Sequence, residues 1–205
     1  MRKADLWKHI LNFLKTLAAQ MTIEKALRYG IYLYNTARRM KCVDIVEPVQ
    51  IADIPIESLA ESPDFRFVDK DMVKGKVSEK NKPPHCGRYK LVSFHNGSGG
   101  VSIYTIRVIS RIFSWKLASF SEAVAVGQVC CFKDLGLEYG GTIAAFGTVI
   151  KKASALSSWL SLYYSPIVRF SIKEQDGKLV KEKTVHLHDL SDNYYSDHYL
   201  LMRVD

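Results

Sequence analysis

Residues 167–188 read IVRFSIKEQDGKLVKEKTVHLH. Val168, Phe170 and Ile172 alternate with Arg169, Ser171 and Lys173, the period of two expected of a strand with one buried face. Asp176-Gly177 supplies the residue pair that a tight two-residue hairpin turn favours. A return strand follows from Lys178 to about His188. That turn places Val185 opposite Val168 and His186 opposite Ile167, so His186 and His188 lie on the face away from Phe170.

Upstream of this hairpin, Val101 to Ser110 is rich in β-branched and aromatic residues and is expected to form a strand. Ser119-Phe120-Ser121-Glu122 is a capping box, in which Ser119 accepts from the Glu122 backbone and the Glu122 carboxylate reaches back. It opens a helix through Ala123, Val124, Gly127 and Cys131, with Gly136 suited to the stop. A second helix is expected from Gly141 to about Lys152. Downstream, residues 193–205 end in a short apolar segment.

Residues 42–100 are poorly periodic and are punctuated by Pro48, Pro55, Pro63, Pro83 and Pro84. They read as a connecting region with short strands, such as Tyr89 to Phe94, and a loop over Asn96 to Gly100. No Gly-Lys-Ser/Thr follows that glycine run, so it is not a phosphate loop.

The N-terminus has a different pattern. Leu6, Ile10, Leu14, Leu17 and Met21 share one stripe of a helix over residues 5–21, with Lys8, Asn12 and Lys15 opposite. Thr22 is the expected N-cap of a second helix to about Met40, with Ile23, Ala26, Leu27, Ile31, Tyr34 and Ala37 as its apolar positions. The fold class expected is α+β, with an N-terminal helical hairpin (1–41), a connecting region (42–100) and a small mixed domain with an antiparallel β-hairpin (101–205). With 205 residues, 47% of them hydrophobic, the chain can bury one sizeable core.

Charge is distributed unevenly. The first 41 residues hold nine cations, Arg2, Lys3, Lys8, Lys15, Lys25, Arg28, Arg38, Arg39 and Lys41, against Asp5 and Glu24. This segment therefore supplies +7 of the formal +8, and the other 164 residues are nearly neutral. A cationic arm on a neutral body implies an anionic partner, either a membrane surface or nucleic acid. Each Lys or Arg near an anionic membrane contributes roughly 1 kcal/mol. Trp7, Phe13, Tyr32 and Tyr34 suit the headgroup level, and the same cations suit RNA phosphates. A mitochondrial presequence would also be basic and amphipathic, but Asp5, Glu24 and the scarcity of serine argue against it. No apolar run reaches the length of a spanning helix.

Chemistry is sparse by comparison. His186 and His188 have metal-ligand spacing but lack a Cys or carboxylate partner at zinc-like spacing, so two polar side chains on a solvated face is the simpler reading. Cys42, Cys86, Cys130 and Cys131 show no CxxC pattern and read as thiols of a reducing compartment, structural rather than catalytic. Glu122 is accounted for by capping, and Asp189 and Asp192 by a turn. No enzyme, metal or cofactor is expected. Between the expected second helix and the hairpin, Trp159, Leu160 and Leu162 stand among serines, an adhesive contact for a neighbouring copy if they are exposed.

The order of these motifs, Ile103 to Ile109, Ser119 to Glu122, the Ala/Val-rich helix, Thr142 to Val149, a serine-rich connector and a long hairpin, resembles the matrix proteins of rhabdoviruses over about residues 101–190. The resemblance implies a virion structural protein at the inner face of host membranes and in host cytoplasm. Such a protein binds anionic membrane through the basic segment and packs the connector (Ala153 to Leu162) into an adjacent copy. It links envelope to nucleocapsid during assembly and budding. Pro83-Pro84-His85-Cys86 lacks the tyrosine of the PPxY late-budding motif. The alternative is a nucleic-acid-binding module, a viral nucleocapsid-associated or movement protein.

Overall fold

The computed structural model describes residues 3–17, 22–52, 54–56, 59, 62–74, 76–79, 85–94, 100–132, 140–153, 161–175, 178–194 and 199–204. In chain order the elements are α1 (Lys3–Leu17), α2 (Ile23–Arg38), β1 (Met40–Gln50), β2 (Phe67–Val68), α3 (Lys70–Lys74), β3 (Lys76–Glu79), β4 (Cys86–Phe94) and β5 (Val101–Ser102). There follow α4 (Ile103–Ile112), β6 (Lys116–Leu117), α5 (Phe120–Val129), β7 (Gly140–Ala144), β8 (Thr148–Ala153), β9 (Ser161–Gln175), β10 (Lys178–Asp189), β11 (Asn193–Tyr194) and β12 (Tyr199–Arg203).

The protein is α+β, but it is built on one large sheet rather than on a small domain with a hairpin. The main strand order is β1-β4-β12-β7-β9-β10-β2, with β8 on β9, β3 on β8 and β6 on β12. Alternation along the central strands divides the core between the two sheet faces. Val92, Phe94, Ala144, Ile167, Leu200 and Met202 join a cluster with Leu6, Ile10, Leu14, Leu33, Ile106 and Ile109 of α1, α2 and α4. Tyr89, Leu91, Ile143, Val168, Phe170 and Leu201 join a second cluster with Phe120, Ala123 and Val124 of α5. Helices therefore cover both faces.

The β9–β10 hairpin has the register expected from its turn, Val185 opposite Val168 and His186 opposite Ile167. Asp176-Gly177 itself lies outside the described residues. The capping box is also present. The Ser119 side chain accepts from the Glu122 backbone at 3.4 Å, and the Glu122 carboxylate accepts from the Ser119 backbone at 2.5 Å. α5 ends at Val129, before the expected Cys131, and Gly136 is outside the described residues. Its C-terminal carbonyls are met from across the fold, since Lys181 Nζ donates to those of Gly127, Gln128 and Cys130 at 3.3, 2.8 and 2.8 Å.

Three expectations need correction. Residues 103–112 form a helix, with Ser102 as N-cap, and only Val101 and Ser102 are extended. Tyr104, Arg107 and Arg111 are spaced three and four apart, leaving Ile106, Ile109 and Ile112 on the buried side, so helical period outweighs β-branched content. The stretch expected to be a helix from Gly141 to Lys152 is instead β7, a turn and β8. The turn carries Gly147, where a Cβ would come within 2.4 Å of the Leu117 carbonyl oxygen, so only glycine allows the two backbones this close. Residues 42–100 are not merely a connection. β1 and β4 pair antiparallel, and β4 lies against β12 in the middle of the sheet. Pro48 falls where the β1 register shifts, on an edge strand, one of the few places where a sheet tolerates proline. The apolar C-terminal segment is β12, buried on both faces between β4 and β7.

Candidate anionic-surface interface

α1 and α2 form the expected hairpin, and it is packed onto the body. Thr22 caps α2, accepting from the Lys25 backbone at 3.4 Å. The helices run antiparallel. Trp7 meets Tyr34 edge-on at 5.0 Å. Further along, Leu14 closes on Gly30, where a Cβ would stand 2.3 Å from Leu14 Cδ1. Leu6, Ile10 and Leu14 are buried, as the sequence spacing requires. Leu17 and Met21 contribute no described side chains.

The buried face of α2 takes in Ala26 and Ala37 of the expected apolar positions but leaves out others. Ala26, Gly30, Leu33, Thr36 and Ala37 face inward. Ile23, Leu27 and Ile31, three of the expected apolar positions, are 76%, 51% and 54% exposed. Spaced i, i+4 and i+8, they form a continuous outward apolar stripe. Leu11 of α1, also exposed, shares with Ile23 and Leu27 a groove of about 510 Å³ floored by Leu14 and Ala26. Lys8 and Lys15 line the same groove. The sequence carried a signal for this surface, since α2 has two apolar stripes and the core accepts only one.

The cations of the segment remain at the surface. Lys8, Lys15, Lys25, Arg28, Arg38, Arg39 and Lys41 are all exposed. Arg28 pairs with Glu24 at 2.7 Å, one turn away. Among the described residues no carboxylate pairs with the other six. Lys3 begins α1, and Arg2 lies outside the described residues.

Within α2, Tyr29 and Tyr32 stack at 6.3 Å. Burial pushes the Tyr29 phenol up to about 12, helped by Tyr104 and Tyr32 nearby. Its hydroxyl is buried with no hydrogen-bond partner among the described residues. Tyr104 is 64% exposed, so aromatic surface continues from α2 onto α4.

The other candidate residues are not brought into this surface. His186 stacks on Phe67 at 5.2 Å and contacts Thr184 Oγ1 at 3.2 Å, while His188 lies by the Phe146 ring. The described residues contain no group of three or more potential metal ligands. Cys42, Cys86 and Cys131 are exposed free thiols, and Cys130 alone is buried, so a structural role fits only Cys130. Trp159 and Leu160 lie outside the described residues. Leu162 is half-buried in β9 and lines a cavity rather than standing free. Among the described residues no helix is long and apolar enough to cross a membrane. No family model, curated protein or solved structure matches the chain.

Proposed function

We propose that this chain is a non-enzymatic, matrix-type structural protein that docks on anionic membrane through the α1–α2 hairpin. The observation that carries the reading is the stripe Ile23, Leu27 and Ile31, exposed beside Leu11, Lys8 and Lys15, the two lysines having no carboxylate partner among the described residues. A helix lying in the membrane interface needs both features, apolar side chains for the acyl boundary and cations for the headgroups. Gripping RNA phosphates uses the cations alone. The stripe therefore favours lipid over nucleic acid, and the nucleic-acid reading stands second on the shared cations.

Self-assembly through Trp159 and Leu160, without Leu162, which lines a cavity, and a link between envelope and nucleocapsid during budding belong to the same proposal. They rest on the motif order rather than on the hairpin. Two members of that order, residues 103–109 and 142–149, take conformations other than those the resemblance implies, so membrane docking is the better supported part.

The test is sedimentation with phosphatidylserine–phosphatidylcholine liposomes at low and physiological salt. The full chain should pellet at low salt and progressively less as salt screens its cations. Reversing Lys8, Lys15, Arg38 and Arg39 to Glu should abolish pelleting. The triple substitution Ile23→Ser, Leu27→Ser, Ile31→Ser should weaken liposome binding about tenfold or more, from loss of buried apolar area, while leaving retention on an RNA column unchanged. Liposome binding that survives the triple substitution undiminished would overturn the reading.

A further inference from the structure

A second concentration of positive charge uses no residue of the hairpin. A cavity of about 730 Å³ opens between β3, β8, α4 and the end of β10. Lys76, Arg107 and Lys151 line it together with Val149, Leu162 and Leu190. That volume is within the range of pockets that hold small organic ligands and far exceeds what a lone inorganic anion occupies.

The placement of the cations is unusual for a structural surface. In the antiparallel β3–β8 pair, Lys76 stands directly opposite Lys151. Directly opposed side chains lie about 5 Å apart at Cβ, and like charges there destabilise the sheet. Asp71 gives no relief, because it pairs with Lys152, the next residue along, which points to the other face. Arg107 adds a third cation. Its Nε is buried without a hydrogen-bond partner among the described residues, and desolvation together with Arg111 pushes its pKa down. Asp189 is the acid of the lining, and its Oδ1 already accepts from the Ser191 backbone and hydroxyl at 2.8 and 2.7 Å. None of the three cations forms an ion pair among the described residues.

We infer that this cleft binds a phosphorylated small molecule of nucleotide size, its phosphates held between Lys76, Lys151 and Arg107. A guanidinium fork and two ammonium groups match the several oxygens and multiple charge of a polyphosphate better than a single carboxylate. Ile103, Val149, Leu162 and Leu190 provide an apolar bed for a non-phosphate body. Tyr163, paired opposite Lys151 and 48% exposed, sits where a ring can stack. Bound phosphate offsets the repulsion between Lys76 and Lys151. The inference is independent of membrane docking, since it uses no residue of the hairpin.

The test is calorimetric titration of the full chain with ATP and with inorganic tripolyphosphate, alongside melting curves. ATP should bind saturably and tripolyphosphate more weakly. Lys76→Gln and Lys151→Gln should each weaken ATP about tenfold or more. Leu162→Ala should weaken ATP while leaving tripolyphosphate unchanged. Without ligand, Lys151→Gln should melt no lower than the parent, because it relieves a repulsion, so a lost affinity cannot be ascribed to misfolding. Reversing Lys8, Lys15, Arg38 and Arg39 should leave ATP affinity intact. Absence of saturable ATP binding would overturn the inference, as would binding unaffected by Lys76→Gln and Lys151→Gln, or binding abolished by the hairpin reversals.

Discussion

Glu122 is fully buried and serves more than its own helix. Besides closing the capping box it accepts from the Tyr89 hydroxyl at 2.9 Å and from Arg203 Nη1 at 2.9 Å, and Arg203 is only 6% exposed. One carboxylate thus joins the start of α5, the middle of β4 and the end of β12. Satisfied in this way, a buried ion pair is tolerated, but removing one partner strands a charge in a low-dielectric interior. Glu122→Gln or Arg203→Met alone should each cost about 3–5 kcal/mol in urea unfolding. The double substitution should recover part of that loss, because it leaves no unpaired charge. The capping role was readable from Ser119-Phe120-Ser121-Glu122, four adjacent residues. The ion pair was not, because Arg203 is 81 residues away and only the sheet brings it in.

At the scale of elements, the hairpin depends on close approach. Leu14 occupies the space above Gly30, and the two helices meet there without a side chain on α2 to hold them apart. Gly30→Val should therefore force the helices apart and cost about 1–3 kcal/mol of overpacking, seen as a lower melting temperature. If the stripe on α2 binds lipid as proposed, liposome binding should fall in parallel, since Leu11 and Leu27 would no longer flank one groove. Element identity was legible where one period dominated. α1 and the β9–β10 pair each have a single pattern, and α5, buried nearly all round, was announced instead by its capping box. It was misread where composition and period disagreed. β-branched residues in 103–112 concealed a helix, and an apolar run in 141–152 concealed two strands and a glycine turn.

Over the whole molecule, β12 is the keystone of the sheet. It pairs with β4 and β6 antiparallel and with β7 parallel, and Leu200, Leu201 and Met202 feed the cores on both faces. Removing residues 199–205 would split the sheet between β4 and β7 and expose both clusters. The chain should then lose its cooperative melt altogether and bind a hydrophobic dye, rather than lose stability locally. Residues 40–50 and 86–94 acquire their strand character from the same arrangement, since β4 exists as a central strand only with β1 on one side and β12 on the other. No single period in residues 42–100 announced this, because β4 alternates only as far as Lys90 and is buried on both faces from Leu91 to Phe94, and Pro48 interrupts β1 at a permitted edge position.

By itself the sequence determined the local features, whose causes lie within a few residues: the Thr22 and Ser119 caps, the inward stripe of α1, the register of the long hairpin and the concentration of cations before residue 42. Only the tertiary structure decided which stripe of α2 would face solvent, which strands would be neighbours, and that Lys76 would stand across from Lys151. Period and capping act over one or two turns of chain. Burial and charge juxtaposition depend on partners tens of residues away, and a linear pattern carries no record of which of two apolar faces the rest of the fold will cover.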